Sequence, residues 1–357
     1  MKQFACTFCG NKTYLTNVSC VQCGHSLGFD ANTLSIVAIE HEDAGAGLFR
    51  QVGRNDGARF FYCSNSVHDT CNWLIPETEA AGFCVACQLN DTIPDLAGPG
   101  NLQSWRELEH AKKRLIYSLL RFGLPLDATH LGRERLKFRF VSDKLTGHLD
   151  GMITVNIAET DAVERERQRQ NFDELYRTLL GHLRHESGHY YWTVLVEGTP
   201  QLDEYRALFG DENQDYAKAL ERHHANGPRE GWQLNHVSAY ASTHPWEDWA
   251  ESWAHYVHMV DAVETAEMEG IEPRIANLNA DRSQYDVYRE GTFEELKERW
   301  VPLTIALNRL SRSLGRNDFY PFVTPGAAYE KIAFVHRLIR QFRESTGNGS
   351  MSAALQN

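Results

Sequence analysis

The sequence lacks several features that mark common classes of protein. No stretch of its 357 residues approaches the roughly 18 consecutive apolar residues of a membrane-spanning helix. The start, MKQFACTFCGNK, contains no apolar core of signal-peptide length. Nothing resembles a glycine-rich loop that holds phosphate, and no serine lies in the context of a nucleophile elbow. We therefore expect a cytoplasmic protein with no membrane partner.

Positive charge is also scarce. The chain holds 36 Lys or Arg against 48 Asp or Glu, which gives a formal net charge of −12. Residues 1–98 are acidic as well, with five Lys or Arg against ten Asp or Glu. Because contacts to phosphate need a basic surface, we expect no nucleic-acid partner.

Cysteine is absent from the last 270 residues, and all eight cysteines lie within the first 87. They are Cys6, Cys9, Cys20, Cys23, Cys63, Cys71, Cys84 and Cys87. In a reducing compartment, pairs with the C-x-x-C spacing are more often zinc ligands than disulfides. Two such thiolates on a tight turn can bind one zinc ion at about 2.3 Å each. The pattern predicts a small, metal-stapled β domain of the zinc-ribbon type, with two structural zinc ions.

The two sets of four cysteines differ in regularity. CTFCG and CVQCG predict one four-cysteine site, and Gly10 and Gly24 follow the pairs where a knuckle turn needs a positive φ. The second set has one C-x-x-C pair and two single cysteines, so His68 could replace one ligand there. Pairs could also cross between the sets. A protein contact or a purely structural role suits this ribbon better than nucleic-acid binding.

The chain divides into a ribbon domain at 1–95, a larger domain at 96–345 and a flexible tail at 346–357. DTIPDLAGPGNLQSW (Asp91–Trp105) is typical of a linker. The helix that follows has apolar residues at helical spacing, and Asn101 or Ser104 could cap it.

The larger domain is expected to be mainly helical with a short sheet, an α+β fold. LKFRFVSD and HLDGMITVNIAE alternate in the manner of strands. One long helix is predicted from about Asp161 to Val196, and several further helices follow. Residues after about 270 carry no motif that we can interpret.

The stretch HESGH lies within the long predicted helix. His185 and His189 are one helical turn apart, so both imidazoles can bind one ion. Glu186 can reach a zinc-bound water without being a ligand, which is the H-E-x-x-H arrangement of a metalloprotease. Zinc would lower the pKa of that water, and the glutamate would carry its proton to the leaving amine. Gly188 leaves room for substrate or for a neighbouring backbone, and His182 is interpreted as a supporting or surface residue.

A catalytic zinc needs a third protein ligand, and HPWEDWAESWAHYVH offers one. Glu247 and Glu251 share a helix face, so a ligand at Glu247 would let Glu251 accept the second N–H of a zinc-bound histidine. Asp248 points about 100° away. An acidic solvated helix face is the alternative, and the interleaved aromatic residues weigh against it.

Three further stretches carry weaker signals. FGDENQDY (Phe209–Tyr216) departs from the calcium-loop pattern and predicts a loop with a helix cap. His223 and His224 are expected at the end of a helix, where the dipole favours them. His255 and His258 are expected to have core or surface roles.

HESGH followed by EDWAE resembles the gluzincin pattern, and SAYASTHPWEDWAE is similar to the anthrax-lethal-factor type, in which a tyrosine lies seven residues before the glutamate ligand. Carried over by position, the resemblance implies the zinc ligands His185, His189 and Glu247, the base Glu186, the supporting acid Glu251 and the donor to the oxyanion or amine, Tyr240.

The whole chain also resembles a bacterial family of zinc-binding metallopeptidases with an N-terminal zinc ribbon. The resemblance rests on stretches such as CTFCG, CVACQLNDTIPDL and RHESGHYYW, and it spans about residues 6–260. It implies a zincin-like peptidase domain, one catalytic and two structural zinc ions, and a peptide or protein substrate. Two alternatives stay open: a catalytically silent zinc-binding module that contacts a protein partner, and a zinc amidohydrolase that does not cleave peptides.

Overall fold

The amino-terminal region is built from short antiparallel strands. The computed structural model describes residues 3–54, 57–79, 82–171, 175, 177–271 and 286–346. The first strands are β1 (Phe4–Ala5), β2 (Lys12–Thr13), β3 (Ser26–Asp30), β4 (Ser35–Asp43), β5 (Leu48–Gln51), β6 (Arg59–Tyr62) and β7 (Leu74–Pro76). β1 pairs with β2, and β3 to β7 form one sheet in chain order. As predicted, Gly10 and Gly24 have positive φ, +74° and +76°.

A second sheet of four strands is mixed. Its members are β8 (Asn90–Thr92), β9 (Lys137–Val141), β10 (Gly147–Leu149) and β11 (Met152–Asn156). The order is β10-β11-β9-β8, in which β10 is antiparallel to β11 and lies at the edge. Alternation buries Phe138 and Phe140 of β9 and Ile153 and Val155 of β11, as the period of a strand requires.

Eight helices are present in the described residues. They are α1 (Asn101–Phe122), α2 (Ala162–Asn171), α3 (Leu179–Leu195), α4 (Leu202–Phe209), α5 (Tyr216–Asn226), α6 (Pro245–Met268), α7 (Phe293–Ser313) and α8 (Gly326–Ser345). None of them is both long and apolar enough to span a membrane. The expected organisation is confirmed: a small β region that carries the cysteines precedes a mainly helical region.

Two local predictions were wrong. The linker was expected to start at Asp91, but that residue belongs to β8, where the side chain of Arg139 of β9 contacts it. Helix α1 follows Gly100, and neither predicted residue caps it. The amide of Asn101 donates instead to the carbonyl of Asp95.

The long helix predicted from Asp161 to Val196 is interrupted. α2 ends at Asn171, and α3 begins after Thr178, whose backbone is extended with φ −138° and ψ 154°. The Thr178 hydroxyl accepts from the amide of Gly181, a group that a helix start would otherwise leave free. Residues 172–174 and 176 lie outside the described residues, as does the predicted tail except for Thr346.

Helices α3 and α6 approach each other closely at Gly188. A Cβ on this glycine would lie 3.0 Å from Cα of Ala250 and 3.1 Å from Cβ of Trp253. The indole N–H of Trp249 donates to the Gly188 carbonyl at 2.7 Å. The sequence predicted that Gly188 leaves room for substrate or for a neighbouring backbone. The structure shows that it leaves room for the backbone of α6.

The hydrophobic core is continuous between the cysteine-bearing region and the helices. Phe4 and Phe29 both pack edge-on against Tyr117 of α1, with ring centroids 5.7 and 6.0 Å apart. The ring of His68 packs against that of Trp105, near the start of the same helix, with centroids 5.6 Å apart. The amino-terminal region thus supports α1 directly.

Candidate metal centre

Three predicted ligands meet where α3 crosses α6. His185 and His189 lie one turn apart on α3, and Glu247 lies in the first turn of α6. Glu247 Oε2 is 2.9 Å from His185 Nε2 and 3.6 Å from His189 Nε2. The three ligand atoms all lie within 4.8 Å of one another. Two imidazoles and one carboxylate form a donor set that zinc accepts, with a fourth position left for water or substrate.

The electrostatics of this cluster favour a cation. Burial alone would raise the pKa of Glu247, but His189 and the hydrogen bond from His185 hold it well below its usual range. Burial alone would lower the pKa of His185, yet Glu247 and Glu251 raise it well above its usual range. The raised pKa of His185 shows that the two acids stabilise positive charge at this position. The same acids would stabilise a divalent cation, so the residues fit zinc.

Glu251 orients His185. Its Oε1 lies 2.7 Å from His185 Nδ1, which leaves Nε2 facing Glu247. Its other oxygen accepts from the Ser238 hydroxyl at 2.6 Å. Burial would raise the pKa of Glu251, but the hydrogen bond and charge of His185 lower it to about 2. This is the contact that a metal-bound histidine makes with its supporting acid.

Glu186 and Tyr240 flank the cluster. Burial raises the pKa of Glu186, although the two neighbouring histidines oppose the shift. The ring of Tyr240 lies 5.9 Å from that of His185. Burial, with the charge of Glu247, raises the pKa of Tyr240 well above its usual range, so its hydroxyl keeps its proton and can donate.

Tyr216 is a residue of the site that the sequence did not reveal. Its hydroxyl donates to Glu247 Oε1 at 2.6 Å. Asp215 caps α5 by accepting from the Lys218 amide, so FGDENQDY is a loop with a helix cap, as predicted. Tyr216 is the first residue of that helix and reaches the metal centre from there. Nothing in one sequence signals this, because the contact depends on how α5 packs against α6.

His148 is a second unforeseen neighbour. It lies on the edge strand β10, and its ring is nearly parallel to that of His189 at 6.2 Å. Trp246 stacks on His189 as well, at 5.1 Å. Burial lowers the pKa of His148 to about 3, so the ring is neutral. Its Nε2 has no hydrogen-bond partner in the described part of the chain.

Other histidines lie away from the ligand cluster. His182 Nδ1 contacts Glu159, a buried acid just after the second sheet. His223 and His224 occupy the last turn of α5, as expected, and the ring of His223 lies 6.0 Å from that of Tyr240.

The later part of α6 is occupied by core contacts. His255 contacts the Tyr320 hydroxyl, and His258 lies 2.6 Å from the Arg184 guanidinium.

Asp248, in the first turn of α6, turns away from the metal centre, as its rotation on the helix predicted, and its Oδ2 lies 2.6 Å from Lys331 Nζ.

The cysteines gather into two separate groups. The ligand atoms of each group lie within 4.8 Å of one another: Cys6, Cys9, Cys20 and Cys23 in the first, and Cys63, Cys71, Cys84 and Cys87 in the second. All eight are free of disulfides. The sets do not cross, and four cysteines complete the second group without His68.

The second cysteine group borders a buried charge cluster on α1. Glu109 lies 2.5 Å from Lys113 Nζ and 2.7 Å from Lys112 Nζ, and all three side chains are buried. Cys87 Sγ lies 3.9 Å from Glu109. Burial would lower the pKa of Lys113, but Glu109 and the cysteines raise it well above its usual range. A buried cation here offsets the negative charge of a four-thiolate zinc site.

Comparisons with known proteins agree with both kinds of site. A family model described as "zinc-ribbon domain" matches residues 3–98. A second, described as "Putative zinc-binding metallo-peptidase", matches residues 101–338. No solved structure matches the chain with a significant score.

Curated relatives match along nearly the whole chain. "Uncharacterized protein Rv2568c" of Mycobacterium tuberculosis is 38% identical over 349 residues, which cover 95% of each chain. "Uncharacterized protein Mb2598c" of Mycobacterium bovis gives the same identity and coverage. On the family match and the donor sets together, zinc is the metal of this protein. A zinc-ribbon domain precedes the region that this family model matches, and the chain belongs to the family described as "Putative zinc-binding metallo-peptidase".

Proposed function

We propose that the protein is a zinc-dependent metallopeptidase of the gluzincin type that hydrolyses a peptide or amide bond. The observation that carries the proposal is the convergence of His185, His189 and Glu247 within 4.8 Å, with a half-buried glutamate next to the first ligand. That glutamate, Glu186, has a raised pKa, as suits a general base near neutral pH.

Zinc held by these ligands would acidify a water molecule and polarise the substrate carbonyl. Glu186 takes the proton of the attacking water and delivers it to the amine when the C–N bond breaks. Glu251 keeps the proton of His185 on Nδ1. Tyr240 remains protonated and donates a hydrogen bond to the oxygen that gains negative charge.

The edge strand supports a peptide as the substrate. β10 lies at one edge of the second sheet, and the ring of its His148 lies beside that of the proposed ligand His189. An edge strand can pair with an extended chain through its backbone groups. A substrate aligned on β10 would therefore run past the metal centre.

The position of Tyr240 supports the lethal-factor type of gluzincin in particular. Its ring lies 5.9 Å from that of His185, and Glu247 and Tyr216 both contribute to the raised pKa of its hydroxyl. We propose a content of three zinc ions, one at this centre and one in each cysteine group.

The experiment that tests the function is digestion of an unbiased peptide library with wild-type protein, Glu186→Gln and Glu294→Gln. Glu294 is an exposed acid at the start of α7, paired with Lys297, and serves as the matched control. We expect wild type and the control to cleave and Glu186→Gln to be inactive with its zinc retained. If the library stays intact but a parallel assay shows turnover of non-peptide amides, the amidohydrolase is favoured, and no turnover in either assay would favour the silent module.

A further inference from the structure

The segment that carries Tyr240 is held from behind by the carboxy-terminal helix. Lys331 of α8 is only 5% exposed. Its Nζ donates to the carbonyl of Asn235 at 2.8 Å and to Asp248 Oδ2 at 2.6 Å. One buried ammonium group therefore joins α8, the first turn of α6 and the chain just before Tyr240.

Two further contacts fix the same segment, residues 235–243. His236 Nδ1 lies 3.1 Å from Asp248 Oδ2, the oxygen that Lys331 also contacts. Val237 and Ala241 pack with Ala328, one turn before Lys331 on α8, in a small separate core. Regular structure in this segment is limited to a 3-10 turn at Tyr240–Ser242. Its geometry thus depends on contacts from outside.

The other side of the segment faces the metal centre. Ser238 donates to Glu251 Oε2 at 2.6 Å and accepts from the Ala241 amide at 3.0 Å. Two residues further on, the ring of Tyr240 lies 5.9 Å from His185. A shift of the segment at Asn235 would therefore move both a support of Glu251 and the tyrosine hydroxyl.

We propose that Lys331 is a positioning residue for Tyr240, which acts by fixing Asn235 and Asp248 on the face of α8. The importance of the Tyr240 hydroxyl rests on the proposed function, whereas the immobilisation of its segment does not. Through Lys331, α8 has a part in the chemistry although it contributes no ligand to the metal centre.

A buried ion pair on its own is weak support for a stabilising role, because desolvation offsets much of the attraction. The placement of this pair argues for a role in geometry. Lys331 Nζ donates one of its hydrogen bonds to the backbone carbonyl of Asn235, which lies in an irregular segment. Removing it would free that carbonyl and leave Asp248 with His236.

The first measurement is hydrogen exchange of the backbone amides, which needs no substrate. The variants are Lys331→Met and the double variant Lys331→Met/Asp248→Asn, which leaves no unpaired buried charge if the single change impairs folding. The control is Arg337→Met, which removes an exposed cation of α8 that pairs with Glu204 on α4. We expect exchange across 235–243 to rise about 10-fold or more in both variants, with α3 and the control unchanged.

The second measurement is a double-mutant cycle with Tyr240→Phe, read as kcat with zinc content verified. If Lys331 acts through the tyrosine hydroxyl, the changes Lys331→Met/Asp248→Asn should lower kcat about 10-fold when Tyr240 is present. The same two changes should lower kcat less than about 2-fold in the Tyr240→Phe background. KM should change little in either case. A purely structural role would lower activity equally in both backgrounds.

The two measurements separate the inference from the proposed function. Unchanged exchange across 235–243 would overturn the inference whatever the activity. Raised exchange with equal losses of kcat in both backgrounds would also overturn it, because Lys331 would then act by another route. If wild type cleaves nothing, the proposed function fails, and the exchange result alone decides whether Lys331 holds the segment of Tyr240.

Discussion

The Tyr216 hydroxyl donates a hydrogen bond to Glu247 Oε1 at 2.6 Å, while the other oxygen of that carboxylate faces the two histidines. The hydrogen bond to Oε1 leaves Oε2 as the oxygen that would bind the proposed zinc ion. It also ties α5 to α6 at the metal centre. A contact of this kind orients a ligand before the ion arrives.

We predict that Tyr216→Phe weakens zinc binding at this centre about 10- to 100-fold, because Glu247 loses the donor that fixes its rotation. The measurement is competition for zinc with a chelator of known affinity. Tyr14→Phe is the control, since that exposed tyrosine lies in the ribbon, away from the metal centre. Equal affinities for the wild type and Tyr216→Phe would show that Glu247 is oriented without the tyrosine.

Zinc stoichiometry should respond differently to two neighbouring acids. Glu247→Ala removes a ligand, so we expect metal analysis to fall from about three zinc ions per chain to about two. Asp248→Asn should leave the content at about three, because Asp248 contacts Lys331 and His236 instead. Loss of zinc in Asp248→Asn but not in Glu247→Ala would contradict the ligand assignment.

Gly188→Ala should destabilise the protein by about 1–3 kcal/mol, because the added methyl group meets the backbone of α6. The measurement is the free energy of unfolding in denaturant. Gly326→Ala is the matched control, since a Cβ there meets nothing within 4 Å and lies in the first turn of α8. The account of the helix crossing fails if both variants are as stable as wild type.

The second cysteine group should stabilise the helical region as well as the ribbon. Cys84 is buried in a core that continues into α1, and Lys113 lies beside the group. We predict that Cys84→Ser loses one zinc ion and lowers the melting temperature of the whole chain in a single transition. Cys9→Ser, at an exposed ligand of the first group, should have a smaller effect. Differential scanning calorimetry distinguishes one transition from two, and a separate early transition of the ribbon would contradict the shared core.

Local periodicity accounts for much of what the sequence predicted. His185 and His189 share a face because a helix turns once in 3.6 residues, and the same rule pairs Glu247 with Glu251. The spacing of the cysteines likewise indicated metal sites. Each of these patterns lies within one element, where sequence distance and spatial distance correspond.

Periodicity could not predict contacts between elements that are far apart in the sequence. Tyr216 is 31 residues from Glu247, and Lys331 is 83 residues from Asp248. Both pairs meet only because helices pack in one particular order. The predicted long helix failed for a related reason, since the capping bond of Thr178 outweighs a helical pattern that runs through it.

The most direct test of the central claim is turnover of library peptides by wild type and Glu186→Gln at equal zinc content, counted as new amino termini. We predict that Glu186→Gln retains about three zinc ions and loses turnover by at least about 100-fold. Turnover by Glu186→Gln at the wild-type rate would contradict the assignment of Glu186 as the base and the peptidase mechanism built on it.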